Sequence, residues 1–261
     1  MKIYSCSAGQ SEGDTDPGSN HFRIISKPSI AILTGRGASY GTAGEIWHLF
    51  DYRLKIPVSL VDAESLGNIS KYNVIIMTGN IPVSQSLKSR LTTWSSEPGN
   101  VIIAVGNAYR SINDLGIATV KEVTDKRDTF KIANGTYEQF QEQRGASRVN
   151  GIILESAIDK TSPISYGIER ESIPLFKNRD VVFAEPKTKF AVPLRYKEKP
   201  LLSGYLQKRY LDRFSGTPAT FTGRGVVILA DDPSFRGYWH GSTRVFLNAV
   251  FYRELLPAVS L

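Results

Sequence analysis

The stretch Ser29-Ile30-Ala31-Ile32-Leu33 is a short, almost wholly apolar run, which is typical of a strand buried on both faces of a parallel sheet. Thr34-Gly35-Arg36-Gly37 follows directly and predicts a tight turn. Apolar side chains then recur with the spacing of one helix face, at Ala43, Ile46, Trp47 and Phe50. This order of strand, turn and helix predicts the first half of a βαβ unit.

The same alternation continues along the chain. Further strands are predicted at residues 58–61, 74–77 and 101–105, and a helix is predicted at 87–94. Strands that alternate with helical segments indicate an α/β fold with a doubly wound, mostly parallel sheet and helices on both of its faces.

The second half of the chain is less regular. Residues 107–215 carry short apolar pieces at 151–154 and 181–183 among several prolines, so we expect a long irregular insertion with short antiparallel strands. Residues 219–222 and 226–230 flank Gly223-Arg224-Gly225, which predicts a hairpin, and a last helix is predicted from Ser242. The glycine-rich start predicts a flexible tail over 1–22, followed by one domain over 23–261.

Composition excludes several classes of protein. The chain has 261 residues, 41% hydrophobic and 22% charged, which excludes global disorder, and it has no apolar run long enough to span a membrane. The first residues lack the apolar run of a signal peptide. The net charge of +7 comes mostly from residues 160–215, which we interpret as a solvated face because they carry no nucleic-acid-binding motif. No nucleic-acid partner and no membrane span are therefore predicted.

Nucleophilic and metal-binding residues are scarce. Cys6 is the single cysteine and lies in the predicted tail, so we interpret it as a bystander thiol. The three histidines are His21, His48 and His240. His48 and Asp51 are three residues apart and could bind zinc together only with a third ligand. His240 is the one plausible third ligand. We predict neither a bound metal nor a resident cofactor.

The candidate site follows from the predicted sheet. Ligands of doubly wound sheets bind beyond the carboxyl ends of the strands, where the turns after each strand converge. The predicted crevice is lined by Gly35, Arg36, Gly37, Tyr40, Glu45, Asn107, Asp231, Asp232, Arg236, Trp239 and His240. In it the two arginines offer anion-binding groups and the two aromatic residues offer apolar faces. Alternatively, Glu45 or one of the aspartates pairs with an arginine, which would make the cluster structural.

Two enzymatic alternatives remain open. The segment from Gly35 to Gly41 reads Gly-x-Gly-x-x-x-Gly, a variant of the dinucleotide-binding fingerprint, and Asp62 ends the second strand where a ribose-binding acid would lie. The spacing is not the standard one, so a merely structural turn is the preferred interpretation. The other alternative is a hydrolase that uses Asp231, Asp232 and His240.

Several segments together resemble a known family. They are residues 30–35, 39–48, 72–76, 201–205, 232–241 and 246–249. The ordered set resembles the C-terminal domain of M14-type zinc carboxypeptidases from Bacteroidetes-like bacteria, a domain similar to class I glutamine amidotransferases. The resemblance covers about residues 23–257 and implies a flavodoxin-like fold. It also implies a zinc peptidase domain as partner, in the same chain or another, and a periplasmic or secreted location.

The departures from the amidotransferase pattern concern its catalytic residues. The position nearest to the family's nucleophilic cysteine is Gly106, within the segment 104–108. The place of the His-x-Glu pair reads Asp231-Asp232-Pro233. Acyl transfer through a thioester needs a thiolate and a base. The sequence therefore predicts an amidotransferase-like accessory domain that binds a ligand or partner without catalysis.

Overall fold

The computed structural model describes Asp16, Ser19, Val259, Leu261 and residues 24–123, 136–140 and 149–257. Nearly all of the predicted tail, including Cys6 and His21, lies outside these residues, and its flexibility stays a prediction. Within them, none of the helices has the length and apolar character needed to cross a membrane.

In the part of the chain that the structure describes, nine strands form one sheet in the order β2-β1-β3-β4-β9-β8-β7-β5-β6. Their bounds are β1 Ile30–Thr34, β2 Val58–Asp62, β3 Val74–Thr78, β4 Val101–Val105, β5 Ile152–Ile158, β6 Ser172–Lys177, β7 Leu194–Ser203, β8 Pro218–Gly223 and β9 Val226–Leu229. The first five strands in the sheet order are mutually parallel. The order 2-1-3-4 with a fifth parallel strand beside it is that of flavodoxin-like folds, so the predicted fold is confirmed.

The other half of the sheet is antiparallel, which makes the sheet mixed. β8 and β9 form the predicted hairpin. β5, β6 and β7 come from the segment predicted as an insertion, and they extend the main sheet to its far edge. The apolar piece 151–154 contributes to β5, whereas 181–183 forms no strand. Phe183 makes an isolated antiparallel bridge with Glu122, flanked by two backbone hydrogen bonds between the same two segments.

Helices cover both faces of the sheet, as predicted. Their bounds are α1 Tyr40–Trp47, α2 Gln85–Ser96, α3 Tyr109–Leu115, α4 Lys208–Leu211 and α5 Thr243–Phe251, and a π-helical turn, His48–Leu54, continues α1. Ile46 of α1 and Phe246 of α5 pack in the core on one face. Leu91 of α2 and Ile112 of α3 pack in the core on the opposite face. The two cores fix the helices and hence the turns that precede them.

Two glycine turns at the carboxyl edge approach each other closely. Gly37 follows β1 with φ +81° and Gly79 follows β3 with φ +99°. Ala38 bridges to Gly79, and a Cβ on Gly79 would lie 2.5 Å from the carbonyl oxygen of Gly37. Glycine is needed here for its positive φ and for this close backbone contact, and the contact fixes the start of α1.

Candidate functional site

A buried polar cluster lies at the carboxyl edge of the sheet, and we call Thr42, Glu45, Arg179 and Asp232 the acid–arginine cluster. Asp232 follows β9 and is only 1% exposed. Its Oδ2 accepts a hydrogen bond of 3.2 Å from the Thr42 hydroxyl and lies 3.8 Å from Nη2 of Arg179. The same Nη2 donates to the Thr42 hydroxyl at 2.9 Å. The ion pair therefore connects β9, α1 and the segment after β6.

Arg179 also covers the turn after β4, where an amidotransferase would carry its nucleophile. Gly106 has φ +61° and begins a 3-10 turn, Gly106–Ala108. A Cβ at Gly106 would lie 2.9 Å from Cζ, Nε and Nη1 of Arg179. A side chain at this position would have to displace the guanidinium, which occupies the adjacent space.

Glu45 connects the cluster to the loop after β9. Its Oε1 accepts a 2.8 Å hydrogen bond from the backbone N–H of Arg236. Its Oε2 and Oδ1 of Asp232 are both buried and receive no hydrogen bond from the described chain. Burial, and next the negative charge of Asp232, raise the pKa of Glu45 to about 7. Burial also raises the pKa of Asp232, against the charge of Arg179. A proton on Glu45 would give these two oxygens a hydrogen bond to each other, which agrees with the raised pKa of both groups.

This pair predicts a pH dependence of stability. The folded chain holds the Glu45 proton up to about pH 7, whereas an unfolded chain releases it near 4.5. The free energy of unfolding that this group contributes is therefore complete at low pH and is lost as pH rises through about 7. We expect Glu45→Gln, which keeps the acceptor for Arg236, to match wild type at about pH 4, below the unfolded pKa, and to exceed its stability at about pH 8. Urea denaturation at both pH values measures this, and an equal difference at the two would contradict it.

The neighbouring carboxylate, Asp231, has different partners. The ammonium of Lys177 donates to Oδ1 of Asp231 and to the hydroxyl of Tyr196, both at 3.0 Å, and Tyr196 donates to Oδ2. The Lys177 side chain is fully buried. Burial, followed by the charge of Asp231, raises the pKa of Tyr196 well above its usual value, so this hydroxyl remains a donor. We call these three residues the buried lysine triad, and every charge in it is paired.

The alternative in which Asp231 or Asp232 pairs with Arg236 is wrong, although one aspartate does pair with another arginine. Asp231 pairs with Lys177 and Asp232 pairs with Arg179, because both cations reach the end of β9 from the neighbouring half of the sheet. Arg236 is exposed, and its guanidinium lies over the ring of Phe235 at 5.1 Å. Glu45 contacts its backbone and not its charge.

The other predicted residues lie around the cluster rather than in it. The half-buried Trp239 contacts the ring of Phe176 at 5.9 Å. The exposed Tyr40 directs its hydroxyl to the carbonyl oxygen of Gly35 at 3.4 Å. Arg36 is exposed and Asn107 is half-buried in the turn after β4. The crevice prediction as a whole stays a prediction, with Glu45 and Asp232 as the members that the structure brings together.

The two enzymatic alternatives find little support in the geometry. Asp231 is held by the buried lysine triad, and His240 is exposed with Nδ1 3.1 Å from Nη1 of Arg53. These two are thus engaged separately. At the glycine turn, a Cβ on Gly35 would lie 2.8 Å from Oδ2 of Asp62. A carboxylate so close to the turn repels a phosphate at the position where the dinucleotide fingerprint requires one. The structural interpretation of the turn stays a prediction.

Sequence reasoning missed Arg179 and the triad residues Lys177 and Tyr196. One signal was present for the lysine. In β6 the buried positions alternate, and Lys177 continues the alternation of Ile173 and Leu175 toward the core. A lysine on the buried face of a strand predicts a buried carboxylate partner.

Within the described chain, no group of three or more His, Cys, Asp or Glu side chains is arranged to hold a metal ion.

Comparison with known proteins gives the fold. No family model and no curated protein matches the chain. Among solved structures, a candidate GMP synthase subunit from Thermoplasma acidophilum aligns with a TM-score of 0.50 at 10% identity over 88% of this chain and 98% of its own. A candidate ThuA-like protein from Parabacteroides merdae aligns with a TM-score of 0.56 at 10% identity over 86% and 89%.

A third match is the mmIFT52 N-terminal domain, with a TM-score of 0.50 at 11% identity over 87% of this chain and 97% of that domain. Identities this low carry information on the fold alone. The strand order of this chain and the helices on both faces of its sheet are those of a flavodoxin-like fold. The chain therefore has the flavodoxin-like α/β fold of glutamine-amidotransferase-like proteins.

Proposed function

We propose that this chain is a non-catalytic, amidotransferase-like accessory domain that works by binding. The observation that supports this most directly is the arginine at the turn after β4. Gly106 offers no nucleophile, and Arg179 fills the adjacent space. Thioester chemistry needs a thiolate with a base beside it. Here the nearby acid–base groups are two carboxyl groups, Glu45 and Asp232, that are engaged with each other and with Arg179.

The burial and the partners of Asp232 and Glu45 agree with a structural role. Asp232 is almost fully buried and paired with a cation, and Glu45 holds the backbone of the following loop. Removing the Asp232 carboxylate would leave the Arg179 charge without its partner, and removing the Glu45 carboxyl would leave the backbone N–H of Arg236 without its acceptor. Both carboxyl groups are thus used in structural contacts. The acid–arginine cluster thus stabilises the edge of the sheet and leaves binding to the surface around it.

The finer part of the proposal comes from the sequence resemblance. It proposes a zinc peptidase domain as the partner, in the same chain or another, and a periplasmic or secreted location. No compared protein bears on this association. Purification of the natural protein from its source, followed by identification of what accompanies it, is the direct test of that part.

We expect purified protein to release no ammonia from glutamine above the buffer background. Gly106→Cys should be equally inactive, because the new thiol lies against Arg179 and has no histidine base. A coupled ammonia assay measures both, with an active amidotransferase as positive control. Glutaminase activity that disappears in Cys6→Ser would contradict the non-catalytic assignment.

A further inference from the structure

The π-helical turn that follows α1 and the loop after β9 contact each other. A Cβ on Gly237 would lie 3.4 Å from Nδ1 of His48, and Arg53 contacts His240 at 3.1 Å. Glu45 anchors the loop to α1 through the backbone of Arg236. We call the exposed side chains of this region the aromatic–basic surface: Trp47, Tyr52, Arg53, Lys55, Arg236, Tyr238 and His240.

Three large aromatic side chains on this surface are open to solvent. Trp47 is 41% exposed, Tyr52 63% and Tyr238 59%. Single exposed apolar residues are ordinary, but a group of them on neighbouring elements marks an interaction site. Tyrosine and tryptophan are also the residues that contribute most to binding in protein interfaces.

The charge of the surface is positive and unneutralised. Arg53, Lys55 and Arg236 form no ion pair with any carboxylate in the described part of the chain. Asp51 is the exposed acidic side chain of the same π-helical turn. The chain as a whole has a net charge of +7. A partner that covers this surface must therefore bring negative charge.

Backbone strain is concentrated at the same place. Among the described residues, Lys55 with φ 56° and Arg236 with φ 50° are the non-glycine residues at positive φ. Each places its cation over an aromatic ring: Lys55 lies 4.8 Å from the Tyr52 ring and Arg236 lies 5.1 Å from the Phe235 ring. Such conformations cost free energy and persist mostly where function requires them. Lys55 is the left-handed C-cap of the π-helical turn, and Arg236 lies within the 3-10 turn Phe235–Gly237.

From these observations we infer that the aromatic–basic surface docks an acidic segment of a partner protein that also carries aromatic or apolar side chains. The inference rests on the proposed accessory role. Arginine, tyrosine and tryptophan are enriched at protein interfaces, where lysine is depleted, and the surface carries one lysine. A nucleic acid would meet the same positive charge, but the composition favours a protein segment.

A random copolymer of glutamate and tyrosine is a suitable probe. We expect the fluorescently labelled copolymer to bind at low ionic strength about tenfold more tightly than polyglutamate or oligothymidylate, because it supplies both charge and rings. The variant Arg53→Glu/Tyr238→Ala should weaken binding by about tenfold or more. Both side chains are exposed, so thermal unfolding of the variant should match wild type.

The variant Lys189→Glu/Phe190→Ala is the matched control. It makes the same kinds of change at another exposed cation and ring, in the 3-10 turn Lys189–Ala191, and should leave binding unchanged. Equal loss in both variants, or no measurable binding of the copolymer, overturns the inference. Tighter binding of oligothymidylate overturns it in favour of a nucleic-acid site. The glutaminase assay on the same preparation tests the proposed function separately.

Discussion

Lys177→Met is expected to lower the free energy of unfolding by about 3–5 kcal/mol. The substitution keeps the length of the side chain but removes the cation from a fully buried position. Asp231 would then remain buried with Tyr196 as its one side-chain donor. An ionised carboxylate without its counter-charge is unstable in a low-dielectric core. Urea denaturation near neutral pH, followed by circular dichroism, measures the loss.

Lys197→Met is the matched control, because Lys197 forms an ion pair with Glu155 at 2.6 Å but its side chain is 42% exposed, whereas that of Lys177 is fully buried. Exposed ion pairs contribute about 0–1 kcal/mol, so this variant should remain close to wild type. The double variant Lys177→Met/Asp231→Leu should recover part of the loss, because it removes the unpaired charge. If Lys177→Met cost no more than the control, the assignment of a buried ion pair would be wrong.

Gly37→Ala is expected to destabilise the chain by about 2–5 kcal/mol. The residue has φ +81°, and a Cβ there would collide with the backbone carbonyl of Asn80 and lie 3.0 Å from Cδ of Pro82. Neither neighbour is a flexible side-chain end that could move aside. The turns after β1 and β3 would have to separate, which would displace the start of α1. Thermal and urea unfolding both report this loss.

Gly44→Ala tests the same substitution where the space is open. Gly44 lies within α1, and a Cβ there would meet no atom within 4 Å. Because alanine has a higher helix propensity than glycine, we expect a gain of about 0.5–1 kcal/mol. If the two variants change the free energy of unfolding in opposite directions, the loss in Gly37→Ala comes from the contact between the turns after β1 and β3 and not from the glycine-to-alanine change itself. Similar effects in both would refute the close-approach explanation of Gly37.

The parallel half of the fold could be predicted because its signals are local. The apolar runs at 74–77 and 101–105 are strands in the structure, and the glycines that follow them begin turns. A strand buried on both faces needs continuous apolar side chains, and a turn at positive φ needs glycine, whatever surrounds them. The same holds for the hairpin at Gly223-Arg224-Gly225 and for the helix that begins beside Ser242.

The pairing of charges at the candidate site could not be predicted in this way. One alternative from the sequence pairs Asp231 or Asp232 with Arg236, close by in the chain, but their partners Lys177 and Arg179 come from the segment at the end of β6. Thr42 and Arg179 are 137 positions apart in the chain. Local patterns place each residue on its strand or turn. Which charged side chains meet depends on the order of the strands in the sheet, because that order brings residues distant in the sequence to the end of β9. A buried ion pair there is therefore a property of the tertiary structure.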